Sequence, residues 1–232
     1  MVKHLQRDLD GLKRRLLEVG SMVEEATGKA IRALVDRHVE MAREVKEGDT
    51  EIDRREVDLE EECLKILALH QPVAADLRFI ITALKVNNDL ERMGDLAANI
   101  ADRAMFLAGR DPVGVPLDFP RMAENVRVMV GESLDSLVRL DTVLARDVLT
   151  KDDLVDRAHK EMFRVLQKKM HDDPEAVERA VHLLSASRHL ERIADLATNI
   201  AEDVVFLVEG EVIRHGFETL GEGGANSPSS GS

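Results

Sequence analysis

One twelve-residue pattern occurs twice, 100 positions apart, and it constrains the fold more than any other feature. The first copy is Leu90-Glu91-Arg92-Met93-Gly94-Asp95-Leu96-Ala97-Ala98-Asn99-Ile100-Ala101. The second is Leu190-Glu191-Arg192-Ile193-Ala194-Asp195-Leu196-Ala197-Thr198-Asn199-Ile200-Ala201. Both read L-E-R-x-x-D-L-A-x-N-I-A, and an internal repeat sets the architecture of everything around it. The register is helical. At about 100° per residue, Leu90, Met93, Ala97 and Ile100 share one side and Glu91, Asp95 and Asn99 the other.

The repeat extends outward from the pattern. Asp49-x-x-Ile52-Asp53-Arg54 matches Asp152-x-x-Val155-Asp156-Arg157 at an offset of 103. The fall from 103 to 100 predicts a connection about three residues shorter in the second copy. The first helix is predicted over 3–47, with Gly48 as its stop and Asp49 or Thr50 capping the next. The second runs over 51–69 and ends at His70-Gln71-Pro72, because the residue before proline is pushed out of the helical region. The third spans 73–108. Residues 111–120, rich in Pro and Gly, form a linker. Helices over 121–149, 153–171 and 174–209 follow, with Thr150 or Asp152 capping the fifth. The expected fold is all-α: two tandem antiparallel three-helix bundles, 1–110 and 121–215, related by a pseudo-twofold, then a disordered tail over 216–232.

Composition agrees with this and removes several function classes. The 232 residues include no Trp, no Tyr and six Phe, so the core is aliphatic and suited to helix-on-helix packing. A net charge of −13 argues against nucleic-acid binding, which needs a basic face. The single cysteine, Cys63, excludes an internal disulfide and reads as a small buried hydrophobe. No apolar run reaches the roughly 18–20 residues of a membrane span, and no signal-peptide pattern is present. A soluble cytoplasmic protein, with no direct membrane insertion, is the expectation.

The polar side of the repeated helix carries the chemistry. Such a side is ordinarily just solvated surface. Solvated faces usually mix charges, however, since like charges one turn apart destabilise by a few tenths of a kcal/mol. Here Glu91 and Asp95, and Glu191 and Asp195, share a stripe with no lysine or arginine, and Arg92 and Arg192 are expected to point elsewhere. The preceding helix offers Asp49, Asp53 and Glu56 in the first half and Asp152, Asp156 and His159 in the second. With the amides Asn99 and Asn199, these are hard oxygen donors, suited to iron, manganese, magnesium or calcium. The Glu56-for-His159 exchange predicts two unequal sites. There is no paired Glu-x-x-His, no Ser/His/Asp arrangement, no phosphate loop and no Cys/His zinc pattern.

Nearly the whole chain resembles the PhoU family of phosphate-transport accessory and regulatory proteins. The resemblance rests on Gln71-Pro72-Val73-Ala74-Ala75-Asp76-Leu77-Arg78, on 89–101, and on Glu191-Arg192-Ile193-Ala194-Asp195. It implies metal held on the bundle surface by E/D-x-x-x-D pairs, here Asp49-Asp53 with Glu91-Asp95 and Asp152-Asp156 with Glu191-Asp195. The implied cofactor is a divalent or trivalent metal, iron first, with manganese, magnesium, zinc or calcium as alternatives. It also implies a homodimer and a non-enzymatic role. That role is to restrain phosphate uptake and the phosphate-starvation response through contacts with the phosphate ABC transporter (its ATPase subunit) and the phosphate sensor histidine kinase. The protein would attach peripherally at the inner membrane through these partners. The second half has His171-Asp172-Asp173-Pro174 where the first has the Gln-Pro loop, which confines that loop's role to the first half. The competing reading is a carboxylate-bridged metalloenzyme or iron-handling protein on the same bundle.

Overall fold

The computed structural model describes residues 2–210, all in helices and short connections, with no strand among them. Residues 211–215 and the expected tail, 216–232, lie outside the described residues. Six α-helices run in order: α1 (Val2–Asp36), α2 (Val39–His70), α3 (Ala74–Ala108), α4 (Phe119–Arg139), α5 (Thr142–Asp172) and α6 (Val177–Glu209). A 3-10 turn, Pro174–Ala176, leads into α6. Helices α1–α3 pack mutually, as do α4–α6, and each set is an antiparallel three-helix bundle closed by short turns. The halves meet where α1 packs on α4 and α3 on α6.

The apolar sides of all six helices fill one continuous core across both halves. Leu12, Leu16, Leu90, Met93, Ile100, Met122, Met129, Leu190 and Ile193 are fully buried within it. Cys63 is buried too, and burial first, then Glu62 and Glu60, pushes its thiol up to about 12. The segment between the halves is not a loose tether. Val113 is buried against Leu166, Ala176 and Ala180, and Arg179 Nη1 donates to the Asp111 carbonyl at 3.0 Å. Helix α4 begins at Phe119, inside the expected linker. Asp118 caps the Arg121 N–H at 3.2 Å, and Pro120 occupies the first turn, where its missing N–H is harmless.

The first helix break falls well before Gly48, which sits exposed in the middle of α2. The chain turns instead at Arg37 and His38. Arg37 takes a left-handed φ of 55°, and its guanidinium donates to the carbonyls of Leu107, at 3.0 Å, and Arg110 at the end of α3. His38 Nδ1 then caps the Met41 N–H at 3.0 Å. The second half repeats the device: Leu140 is left-handed at 55°, and Asp141 Oδ1 accepts from Val143 and Leu144, both at 3.0 Å. Asp49, Thr50, Thr150 and Asp152 therefore cap nothing and lie mid-helix. Asp141→Ala is expected to lower stability by about 1 kcal/mol, or roughly 2–4 °C in Tm by calorimetry.

The three-residue difference between the copies lies inside a helix and not in a shorter connection. The α2–α3 link is residues 71–73 and the α5–α6 link is 173–176. Seventeen positions separate Ala74 from Glu91, but only fourteen separate Val177 from Glu191. Helix α3 thus has nearly one extra turn before the repeated pattern.

Candidate metal centre

Because α2 runs unbroken past Gly48, Asp49, Asp53 and Glu56 fall on successive turns of one side, facing α3. Glu91 and Asp95 stand on α3 across the seam. The electrostatics show that the two sets share a field. Asp49 is pushed from 3.8 to about 6, first by burial, then by Asp53 and Asp95. Glu91 is raised by burial, then by Asp95, Asp53, Glu56 and Asp49. No cation opposes either shift. Asp49 Oδ1 is buried and accepts no hydrogen bond, an uncommon state for a carboxylate oxygen.

Gly94 lets the two helices approach at this seam. A Cβ there would lie 3.1 Å from Asp49 Oδ1 and 3.2 Å from two carbons of Ile52. Glu56 is tied down differently, for Asn87 Nδ2 donates to its carbonyl at 2.8 Å and to Oε1 at 3.3 Å. In the second half the exchange is concerted: His159 replaces Glu56, Ser187 replaces Asn87, and His159 Nδ1 lies 3.0 Å from Ser187 Oγ.

The second seam is partly neutralised. Asp152 rises to about 6 through burial, Asp195, Asp156 and Asp153, with Lys160 opposing. Lys160 Nζ sits 2.8 Å from Asp156. Burial is the main cause that raises Glu191 and Asp195; Arg188 and Arg192 oppose it at Glu191, and Arg192 at Asp195. His159 is lowered by burial and by Arg188.

The stripes are thus less free of positive charge than the spacing suggests. Lys46 pairs with Asp102 at 2.8 Å. Arg92 and Arg192 do not point away, but line a groove between α3 and α6 together with Asp95, Asp195, Asn99 and Asn199. The two asparagines belong to that groove. The pairing of Asn87 with Glu56, and the approach at Gly94, are invisible in spacing alone. The two arginines had a signal, since both stand in the repeated pattern.

As placed, no three carboxylate, imidazole or thiolate groups among the described residues converge into a finished metal site. The donor set nonetheless fits a hard cation. The first seam holds five acids, one with an orphaned buried oxygen, and no cation opposes the rise at Asp49 or Glu91. Exposed Asp53 and Asp95 have room to swing toward Asp49.

A tandem repeat of three-helix units with acidic seams defines an all-α class of paired helical bundles. The model of the PhoU domain matches residues 16–104 and again 119–204. The chain belongs to the PhoU family, whose members are accessory and regulatory proteins and not enzymes. It is 43% identical over 211 residues to the phosphate-specific transport system accessory protein PhoU homolog of Aquifex aeolicus, covering 91% of this chain and 96% of that one. The Pseudomonas aeruginosa homolog is 41% identical over 210 residues, covering 90% and 86%. Among solved structures, PhoU from Pseudomonas aeruginosa superposes with a TM-score of 0.84 at 39% identity, covering 89% of this chain and 99% of the other. The phosphate transport system regulatory protein PhoU from Streptococcus pneumoniae gives 0.83 at 29%, covering 90% and 98%.

Proposed function

We propose that this protein regulates phosphate uptake as a metal-binding adaptor in the cytoplasm, restraining the transporter and the phosphate-starvation response when phosphate is plentiful. The observation that carries the reading is family membership across both repeats, with relatives named as accessory proteins of a phosphate-specific transport system. No helix among the described residues is long and apolar enough to cross a membrane; in this reading attachment at the membrane is through protein partners. The partners in this reading are the ATPase subunit of the phosphate ABC transporter, the phosphate sensor histidine kinase and a second copy of the chain.

The α2–α3 corner supports a contact role. Leu69 and Val73 are 67% and 75% exposed there, with Leu77 and Ile81 beside them. Gln71 and Ala74 hold left-handed φ values of 47° and 49°, so the corner has a defined shape. The matching corner of the second half carries the 3-10 turn, whose Ala176 is buried. The acidic seams would hold the cation, with the first half favoured because no cation opposes the rise at Asp49 or Glu91.

The experiment is deletion and complementation, reading phosphate uptake and a phosphate-responsive reporter in high phosphate. Deletion should derepress both. The parent gene should restore repression, and Val73→Asp with Leu77→Asp should fail to restore it while keeping helical content. Normal repression in the deletion strain would refute the regulatory role, and full rescue by the corner variant would refute the contact surface.

A further inference from the structure

The groove between α3 and α6 is lined by the same four positions of each repeat copy: Arg92 and Arg192, Asp95 and Asp195, Leu96 and Leu196, Asn99 and Asn199. A cavity of about 390 Å³ built this way straddles the pseudo-twofold axis. Neither arginine is paired with either aspartate. Arg92 sits 3.6 Å from Asp89 instead, and Arg192 forms no direct ion pair among the described residues, although its charge opposes the rise at Glu191 and Asp195. The Arg192 guanidinium is therefore free to meet a ligand, and Arg92 has only the 3.6 Å contact with Asp89 to give up, at a junction that joins the two halves.

The donor inventory defines what fits. Two guanidinium groups and two side-chain amides supply N–H donors for anionic oxygens. Two carboxylates supply acceptors only, and they repel a bare anion. A cation meets the two arginines. The set selects a ligand that carries anionic oxygens and hydroxyl donors together. A tetrahedral phosphate with two bare and two protonated oxygens has a twofold axis of its own, so each half would offer one arginine to an oxygen and one aspartate to a hydroxyl. We propose that in the metal-free protein, where Asp95 and Asp195 are not drawn to a cation in the seams, this groove is a binding site for free orthophosphate in its protonated forms, held between Arg92 and Arg192 and recognised through Asp95 and Asp195. The same chemistry separates it from other oxyanions. Sulfate has no proton to donate at neutral pH. A phosphate monoester, with a second pKa of about 6, has mostly lost its proton. Bicarbonate is planar and lacks the tetrahedral match to the axis.

The test uses full-length protein stripped of metal with EDTA, so that phosphate cannot be retained through bound iron, and equilibrium dialysis against radiolabelled orthophosphate at pH 7.5. One phosphate per chain is expected, undisturbed by a tenfold excess of sulfate, methyl phosphate or bicarbonate. Arg92→Gln with Arg192→Gln should weaken binding by at least about tenfold with helical content unchanged, since both side chains are exposed. Arg192→Gln alone, which breaks no ion pair, should act in the same direction. Asp195→Asn should let sulfate compete. The proposal is overturned if the stripped protein retains no phosphate, if any of the three competitors displaces it equally, or if the arginine variants bind as the parent does. The readout involves no transporter or kinase, so its failure is distinct from failure of the regulatory role.

Discussion

Metal-free protein carrying Asp49→Asn and Asp152→Asn is expected to melt roughly 5 °C above the parent at pH 7. The same variant is expected to lose the parent's gain in Tm on addition of manganous or ferrous ion. Both carboxyls sit at about 6 in the folded chain against an ordinary 3.8. The folded state therefore holds more protons than the unfolded state between those values, and stability falls as pH rises through the window. Their contribution is fully present below 3.8 and lost above about 6. Each partly exposed group is worth about 1 kcal/mol after allowance for solvent screening. The half-buried histidines run the other way. His159, His182 and His189 are lowered by burial, so the stability of their neutral forms is lost as pH falls below the ordinary 6.5. Subtracting variant from parent at each pH removes the histidines and leaves the aspartates. A cation at 100 times its Kd should add about 2.7 kcal/mol, and it does so by offsetting the repulsion that the variant has already relieved. An unchanged metal-dependent gain in the variant would place the cation elsewhere. No gain in the parent would leave the seams without a metal role.

Gly20→Val is expected to cost about 3 kcal/mol, lowering Tm by roughly 6–12 °C. A Cβ at Gly20 would fall 2.0 Å from Leu134 Cδ1, across the α1–α4 contact that joins the two halves. Alanine would be met by a swing of that flexible methyl. Valine adds two branched carbons that Leu134, itself 2% exposed, has no space to avoid. Leu134→Ala alone should cost about 2–5 kcal/mol through the cavity it leaves. The double variant exchanges volume across the contact, so its loss should be smaller than the sum by at least about 1 kcal/mol. Additive losses in chemical denaturation would show that the two residues do not share the space assigned to them.

The glycines show where spacing reaches its limit. Gly11, Gly20 and Gly28 look alike along the sequence, each a weak point of about 1 kcal/mol in a long helix. In space, Gly11 and Gly28 meet only the ends of arginine side chains, whereas Gly20 abuts the other half of the molecule. Gly48 resembles a helix stop and is an exposed mid-helix residue with nothing within 4 Å. The true stops are Arg37 and Leu140, residue types with no intrinsic preference for the left-handed region. Arg37 is held there by carbonyls 70 and 73 positions away, a contact no local window contains.

The repeat, the apolar side of each helix, the all-α class and the acids on facing helices were legible because helical periodicity and internal similarity are properties of residue order. Which acids are desolvated depended on tertiary structure, since it required the approach of α2 to α3 at Gly94. The same holds for the exchange of Glu56 with Asn87 for His159 with Ser187, a pair that only helix packing brings together. The arginines of the repeated pattern are the clearest case. Along the sequence they point away from the acids of their own helix. Once α3 crosses α6, the pseudo-twofold brings Arg92 and Arg192 into one groove, because a symmetry axis juxtaposes equivalent positions however far apart they stand in the chain.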